Sequence, residues 1–226
     1  EYSRIELVDR SGRILLSLPE NSDTLEPYIS KIISESVRLE KSEFSDFYED
    51  ADGNASLEIV VPILPRERHS SHCIGFVLMT VDPSNYLFPL IQSWPVPSQS
   101  SEGMLVRYDG DDVVYLNTLR HMKNIPLRFR MPINEKYLMA AMTMRGDEGI
   151  LEGLDYRHVP VLAVSRRVQE SPWFFIAKVD QDEVQTPIRR VAWFTAMMVG
   201  MLLIATGLGV GLVWQNHTST LELERY

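Results

Sequence analysis

The chain has 226 residues, a formal net charge of −9, 45% hydrophobic and 23% charged residues. That balance excludes wholesale disorder, and an acidic chain without a Lys/Arg-rich block argues against nucleic acid as a partner, because phosphate binding needs a cationic face. The single cysteine, Cys73, excludes an internal disulfide framework and a cysteine-rich zinc site.

In chain order, alternating apolar residues predict a strand at 4–9, a turn at Arg10-Ser11-Gly12 and a partner strand at 13–17. Apolar positions 25, 29, 32, 33 and 37 then form one stripe of an amphipathic helix over 25–41. Strands are predicted at 43–48, 55–64 and 74–81, followed by Asp82-Pro83 and a short helix at 85–93. Residues 94–101, WPVPSQSS, combine two prolines with hydroxyl and amide side chains and read as a stiff linker.

The second half repeats this order. Strands at 104–108 and 112–117 flank the turn Asp109-Gly110-Asp111, a helix is predicted at 134–144, and strands follow at 150–156, 160–167 and 173–179. Three marks recur about 100 residues apart: Asp9 with Asp109, Val60–Ile63 with Val159–Leu162, and Val81-Asp82 with Val179-Asp180. Their shared order predicts two modules, 1–93 and 102–186, each an antiparallel sheet flanked by helices in an α+β arrangement.

Residues 191–214 carry no charge, and as a helix they would extend about 36 Å, enough to cross a hydrocarbon core of about 30 Å. Trp193 and Trp214 stand at its two ends, as aromatic residues do at membrane interfaces. Ala196, Gly200, Gly207 and Gly211 fall along one helix face, a small-residue stripe of the kind that lets two helices approach closely. Glycine is common in membrane helices in any case, so a dimer face and chance composition both remain open.

The repeated order ahead of an apolar span resembles the double Cache (PAS-like, double PDC) sensor domain of bacterial membrane receptors. The runs IQSWPVPSQSSEGMLVRYDGDDVVYLNTLRH and GDEGILEGLDYRHVPVLAVSRRVQESPWFFIAKVDQDEV carry the likeness. It implies two tandem PAS-like modules, the first membrane-distal, then one transmembrane helix at 191–214 and the start of a cytoplasmic region at 215–226. It also implies an extracytoplasmic small-molecule sensor in a homodimer at the inner membrane, with a histidine kinase or diguanylate cyclase as output. The family's N-terminal membrane helix and long first helix are missing here, so the chain reads as an excerpt with a first module truncated at its start. The arginine, tryptophan and tyrosine pattern of amino-acid-binding members is not evident around 39–48.

Candidate ligand residues in the first module are Phe47, Tyr48, Arg66 and Arg68, since an arginine fork suits a carboxylate and an aromatic floor excludes water. The competing reading makes Phe47 core and the arginines solvated. In the second module Tyr115, Arg120, Asp155, Tyr156, Arg157 and Lys178 are candidates, against a purely structural turn in which Asp155 accepts amide hydrogens and Arg157 pairs locally. Of these, Phe47, Tyr48 and Arg68 are preferred because the distal module is the usual binder in the resembled family. His69, His72 and Cys73 lack the ligand spacing of a metal site, and no cofactor motif or catalytic constellation appears. Arg189 and Arg190 precede the span while Arg225 follows it, which by local charge alone would put the globular part in the cytosol; long domains translocate regardless of such charge. The alternatives to a sensor are a membrane-anchored protein-interaction module or a tethered hydrolase.

Overall fold

The computed structural model describes residues 2–19, 27–65, 73–122 and 126–223. It contains two compact units, Glu1–Val179 and Asp180–Tyr226.

The first unit holds two antiparallel sheets. In the first, β1 (Tyr2–Asp9) and β2 (Ile14–Leu18) form a hairpin, α1 (Pro27–Leu39) follows, and β3 (Glu43–Phe44), β4 (Tyr48–Glu49), β5 (Ala55–Ile63) and β6 (Gly75–Val81) complete the sheet. The order is β2-β1-β6-β5-β3, with β4 also on β5, so the last strand returns beside the first. The β1–β2 turn is set by Asp9, whose carboxylate accepts hydrogens from Ser11 N at 2.8 Å and Arg13 N at 2.9 Å, while Gly12 takes φ +84°.

After α2 (Leu87–Gln92), the second sheet begins with β7 (Glu102–Asp109), β8 (Asp112–Tyr115) and β9 (Arg130–Pro132). It continues through α3 (Met139–Met144), β10 (Gly149–Leu154), β11 (Pro160–Arg167) and β12 (Trp173–Asp180). Its order is β10-β11-β12-β7-β8-β9; like the first sheet it opens with a hairpin, and its last strand in the chain, β12, pairs with its first, β7.

Each sheet buries one face of alternating residues, the pattern that set the predicted strands. In the first, Val8, Val60, Phe76 and Leu78 pack with Ile29, Ile32 and Ile33 of α1. In the second, Met104, Val106, Val113, Val161 and Ile176 pack with Met139, Ala140 and Ala141 of α3. A third cluster joins them, with Phe47, Ala55 and Phe88 from the first half against Leu105, Val114, Leu116 and Trp173 from the second. Gly103 is needed at this seam, because a Cβ there would lie 2.2 Å from the carbonyl oxygen of Ile91.

Three elements depart from expectation. The strand predicted at 43–48 is split, because Phe47 N bonds its neighbour's carboxylate, Asp46 Oδ1, at 2.8 Å, outside the ladder to β5. The helix predicted at 134–144 starts only at Met139, since the Arg145 guanidinium donates to the carbonyls of Ile133 at 2.7 Å and Lys136 at 2.8 Å and holds that stretch as turns. Short β9 carries too few residues to show a period.

The second unit is the helix α4 (Gln181–Leu223), which extends well upstream of the uncharged run and includes Pro187 near its start. Its stretch Gln181–Gly211 is long and apolar enough to cross a membrane, and its side chains there are unburied. A Cβ added at Gly200, Gly207 or Gly211 would meet no atom within 4 Å.

Candidate functional site

An open cleft of about 420 Å³ lies against the first sheet, within the size range of small-molecule sites. Lys31, Ile32 and Glu35 of α1 form one wall, and Glu43 through Tyr48 form the other. The cleft lies where the chain, still bonded to β5 through Ser45 N and Glu58 O at 2.7 Å, turns off that ladder at Asp46 and Phe47. Two of the sequence candidates are here. Phe47 is fully enclosed on its far side, with ring centroids 4.6 Å from Trp173 and 6.2 Å from Phe88, so it serves the core as well as the cleft. Tyr48 donates its hydroxyl hydrogen to Glu58 Oε2 at 3.0 Å. Arg66 and Arg68, with His69 and His72, lie outside the described residues.

The electrostatics of the cleft were not legible from the two aromatic candidates, Phe47 and Tyr48. Glu43 Oε1 is buried and accepts no hydrogen bond among the described residues; Lys41 Nζ stands 3.4 Å away. A buried carboxylate oxygen in that condition is a receptive acceptor. Asp46, by contrast, is committed to the seam: it accepts from the Trp173 indole N–H at 2.6 Å and pairs with Arg107 at 2.5 Å. Beneath the sheet, Glu58 takes hydrogens from Tyr48 and Thr80, and burial still pushes its carboxyl above the usual range.

The second-sheet candidates do converge. The register of β7 with β12 sets Lys178 opposite Glu102, and the turn after β10 brings Asp155, Tyr156 and Arg157 beside them. Lys178 is fully buried, with Nζ 2.9 Å from Asp155 Oδ2 and 3.3 Å from Glu102 Oε2. Arg157 also reaches Asp155 Oδ2, at 2.6 Å, and Tyr156 donates to Glu102 Oε2 at 3.0 Å. The other Asp155 oxygen accepts from Arg157 N at 2.8 Å and Val159 N at 3.2 Å, the turn amides expected of it.

Burial alone would raise the Asp155 carboxyl, yet hydrogen bonds from Lys178 and Arg157 prevail and hold it below the ordinary carboxylate value. Burial pushes the Tyr115 and Tyr156 phenols well up, so both stay protonated. Tyr115 packs against Tyr156 with centroids 6.0 Å apart and is core. Arg120 donates its backbone N–H to Glu102, while its guanidinium holds the carbonyls of Ser101 at 2.6 Å and Ser98 at 3.3 Å. Glu102 is the member that sequence reasoning missed; its place opposite Lys178 depends on a pairing 76 residues apart in the chain.

Cys73 is buried, and its thiol donates to Gly75 O at 3.0 Å. Among the described residues no group of His, Cys, Asp and Glu side chains is arranged to hold a metal ion.

No protein-family model matches the chain. No curated protein matches it either. Solved structures do. The ligand-binding domain of the Pseudomonas aeruginosa PAO1 amino acid chemoreceptor PctB, in complex with L-Arg, aligns with a TM-score of 0.55 at 14% identity over 84% of this chain and 70% of that one. The corresponding domain of the Pseudomonas fluorescens chemoreceptor CtaA, in complex with L-isoleucine, gives 0.53 at 15% identity over 82% and 71%. The extracellular domain of the proposed histidine kinase mmHK1S-Z2 gives 0.51 at 12% identity over 80% and 76%. The strand order, the two sheets and these likenesses agree: this chain has the fold of the ligand-binding, Cache-type sensor domains of bacterial chemoreceptors and histidine kinases.

Proposed function

We propose that the chain is the sensing and membrane-crossing region of a bacterial receptor. On this reading the two sheets are tandem Cache modules, 1–93 and 102–186, joined by the linker 94–101. Residues 191–214 of α4 span the inner membrane, and residues 1–190 lie outside the cytosol. A small molecule binds the cleft of the first module. Its binding biases the packing of paired α4 helices along Ala196, Gly200, Gly207 and Gly211, and an output domain such as a histidine kinase reads that bias.

The observation that carries the reading is the cleft itself, on a fold whose solved examples bind small molecules in domains of the same kind. Glu43 Oε1, ion-paired with Lys41 but accepting no hydrogen bond among the described residues, favours a ligand that brings a hydrogen-bond donor, such as an ammonium or a hydroxyl. The second-sheet cluster supports the fold through paired charges, and its residues are proposed as ligand contacts only for what replaces Lys178.

The test is a thermal-shift screen of the whole chain in lipid nanodiscs against amino acids, organic acids and polyamines. Binding to the native state stabilises it by mass action, so a ligand raises Tm in a saturable way. A screen in which no compound does so counts against small-molecule sensing and favours a protein-interaction module.

A further inference from the structure

A lysine on a strand normally carries its ammonium out to water on a flexible stem. Lys178 does the opposite, and its side chain is 0% exposed. Around its Nζ stand Asp155 Oδ2 at 2.9 Å, Glu102 Oε2 at 3.3 Å and the ring of Tyr156 with its centroid at 5.6 Å. Two carboxylates and an aromatic face around one ammonium are the chemistry by which a receptor recognises a primary amine.

The walls of this site do not depend on the lysine for their positions. Asp155 is held by two turn amides and by Arg157. Glu102 is held by the Tyr156 hydroxyl and by the backbone N–H of Arg120. Asp155 and Tyr156 belong to a turn closed by His158 N donating to Asp155 O at 2.8 Å. A receptor for an ammonium would therefore persist with the lysine side chain gone.

We infer that the second sheet contains a primary-ammonium site that the chain occupies with its own Lys178. The module is self-liganded: its amine pocket is assembled, filled and closed to amines from outside. Removing the side chain beyond Cβ opens a space shaped for a short alkylammonium ion between Glu102 and Asp155. Buried cavities of this size accept small molecules that match their lining. This inference is independent of any ligand in the cleft of the first sheet.

The experiment uses the whole chain in nanodiscs carrying Lys178→Ala, with ethylammonium chloride as probe, and ethanol and sodium chloride as controls at matched concentration. The variant melts below the parent. Ethylammonium raises its Tm saturably, by about 4 °C at ten times the dissociation constant, and leaves the parent unchanged. The added substitution Glu102→Gln removes the shift. If Lys178→Ala does not fold in buffer alone, the same comparison is read as refolded yield. Ethylammonium acting no better than the controls, on Tm or on yield, overturns the inference, as does an equal shift in the parent.

Discussion

Trp173→Ala is the sharpest probe of the seam between the two sheets. The indole is 6% exposed, stacks 4.6 Å from Phe47 and 5.4 Å from Phe44, and donates its N–H to Asp46 at 2.6 Å. Truncating a buried tryptophan costs about 3–5 kcal/mol, the lost transfer energy plus the cavity left behind. Asp46 is partly exposed and regains water, so the lost hydrogen bond adds little to that figure. At about 2–4 °C per kcal/mol for a unit of this size, Tm should fall by roughly 6–20 °C. The assay is a thermal melt of the whole chain in nanodiscs, followed by circular dichroism in the β-sheet region. Trp173→Phe keeps one aromatic ring against Phe47 but loses the second ring and the donor, so its cost should fall between the parent and the alanine variant. A loss under about 1 kcal/mol for the alanine variant would refute the claim that the seam holds the sheets as one cooperative unit. So would a melt in which only one of two separate transitions moves.

Further outcomes follow from the buried charges. Asp155→Asn strands the Lys178 ammonium beside one remaining carboxylate, and breaking such a buried pair costs about 3–5 kcal/mol. The double variant Asp155→Asn, Lys178→Met should lose less than the sum of the two single changes, which a double-mutant cycle measures. Because the Asp155 carboxyl is held low when folded, its contribution is present above the unfolded carboxylate pKa and disappears only as pH falls through the lower folded value. Glu58 behaves oppositely. Burial raises its carboxyl, so its stabilising term is complete below the unfolded pKa and is lost as pH rises through the folded one. Glu58→Gln should therefore gain stability over the parent progressively as pH rises above about 4; a difference independent of pH would contradict the assignment.

Strands were legible where one face of a sheet is buried, because period-two alternation survives in sequences such as RIELVD and PVLAVSRR. The amphipathic stripe of α1 and the uncharged core of α4 were legible for the same kind of reason. What escaped depended on distant pairing. Asp46 turns away from its own ladder toward Trp173 and Arg107, which lie in the other half of the chain. Arg145 reaches back to end-cap residues 133–136 and so shortens α3. Within the second-sheet cluster, Asp155, Tyr156 and Arg157 were legible as a polar turn between two strands and Lys178 as a candidate on the next, while Glu102 needed the β7–β12 register. The cleft wall from α1 was hidden likewise, since Lys31 and Glu35 become neighbours of Glu43 only when α1 lies against the sheet.

Small-molecule reception in the cleft of the first sheet is tested most directly by blocking it. Glu35 is an exposed α1 residue lining the cleft, so Glu35→Trp fills the opening while leaving the core untouched. The measurement is isothermal titration of the whole chain in nanodiscs with a compound that raises the parent's Tm. The account predicts one site per chain in the parent and at least a tenfold loss of affinity in Glu35→Trp, with the variant's unliganded Tm unchanged. Undiminished affinity in that variant would contradict it.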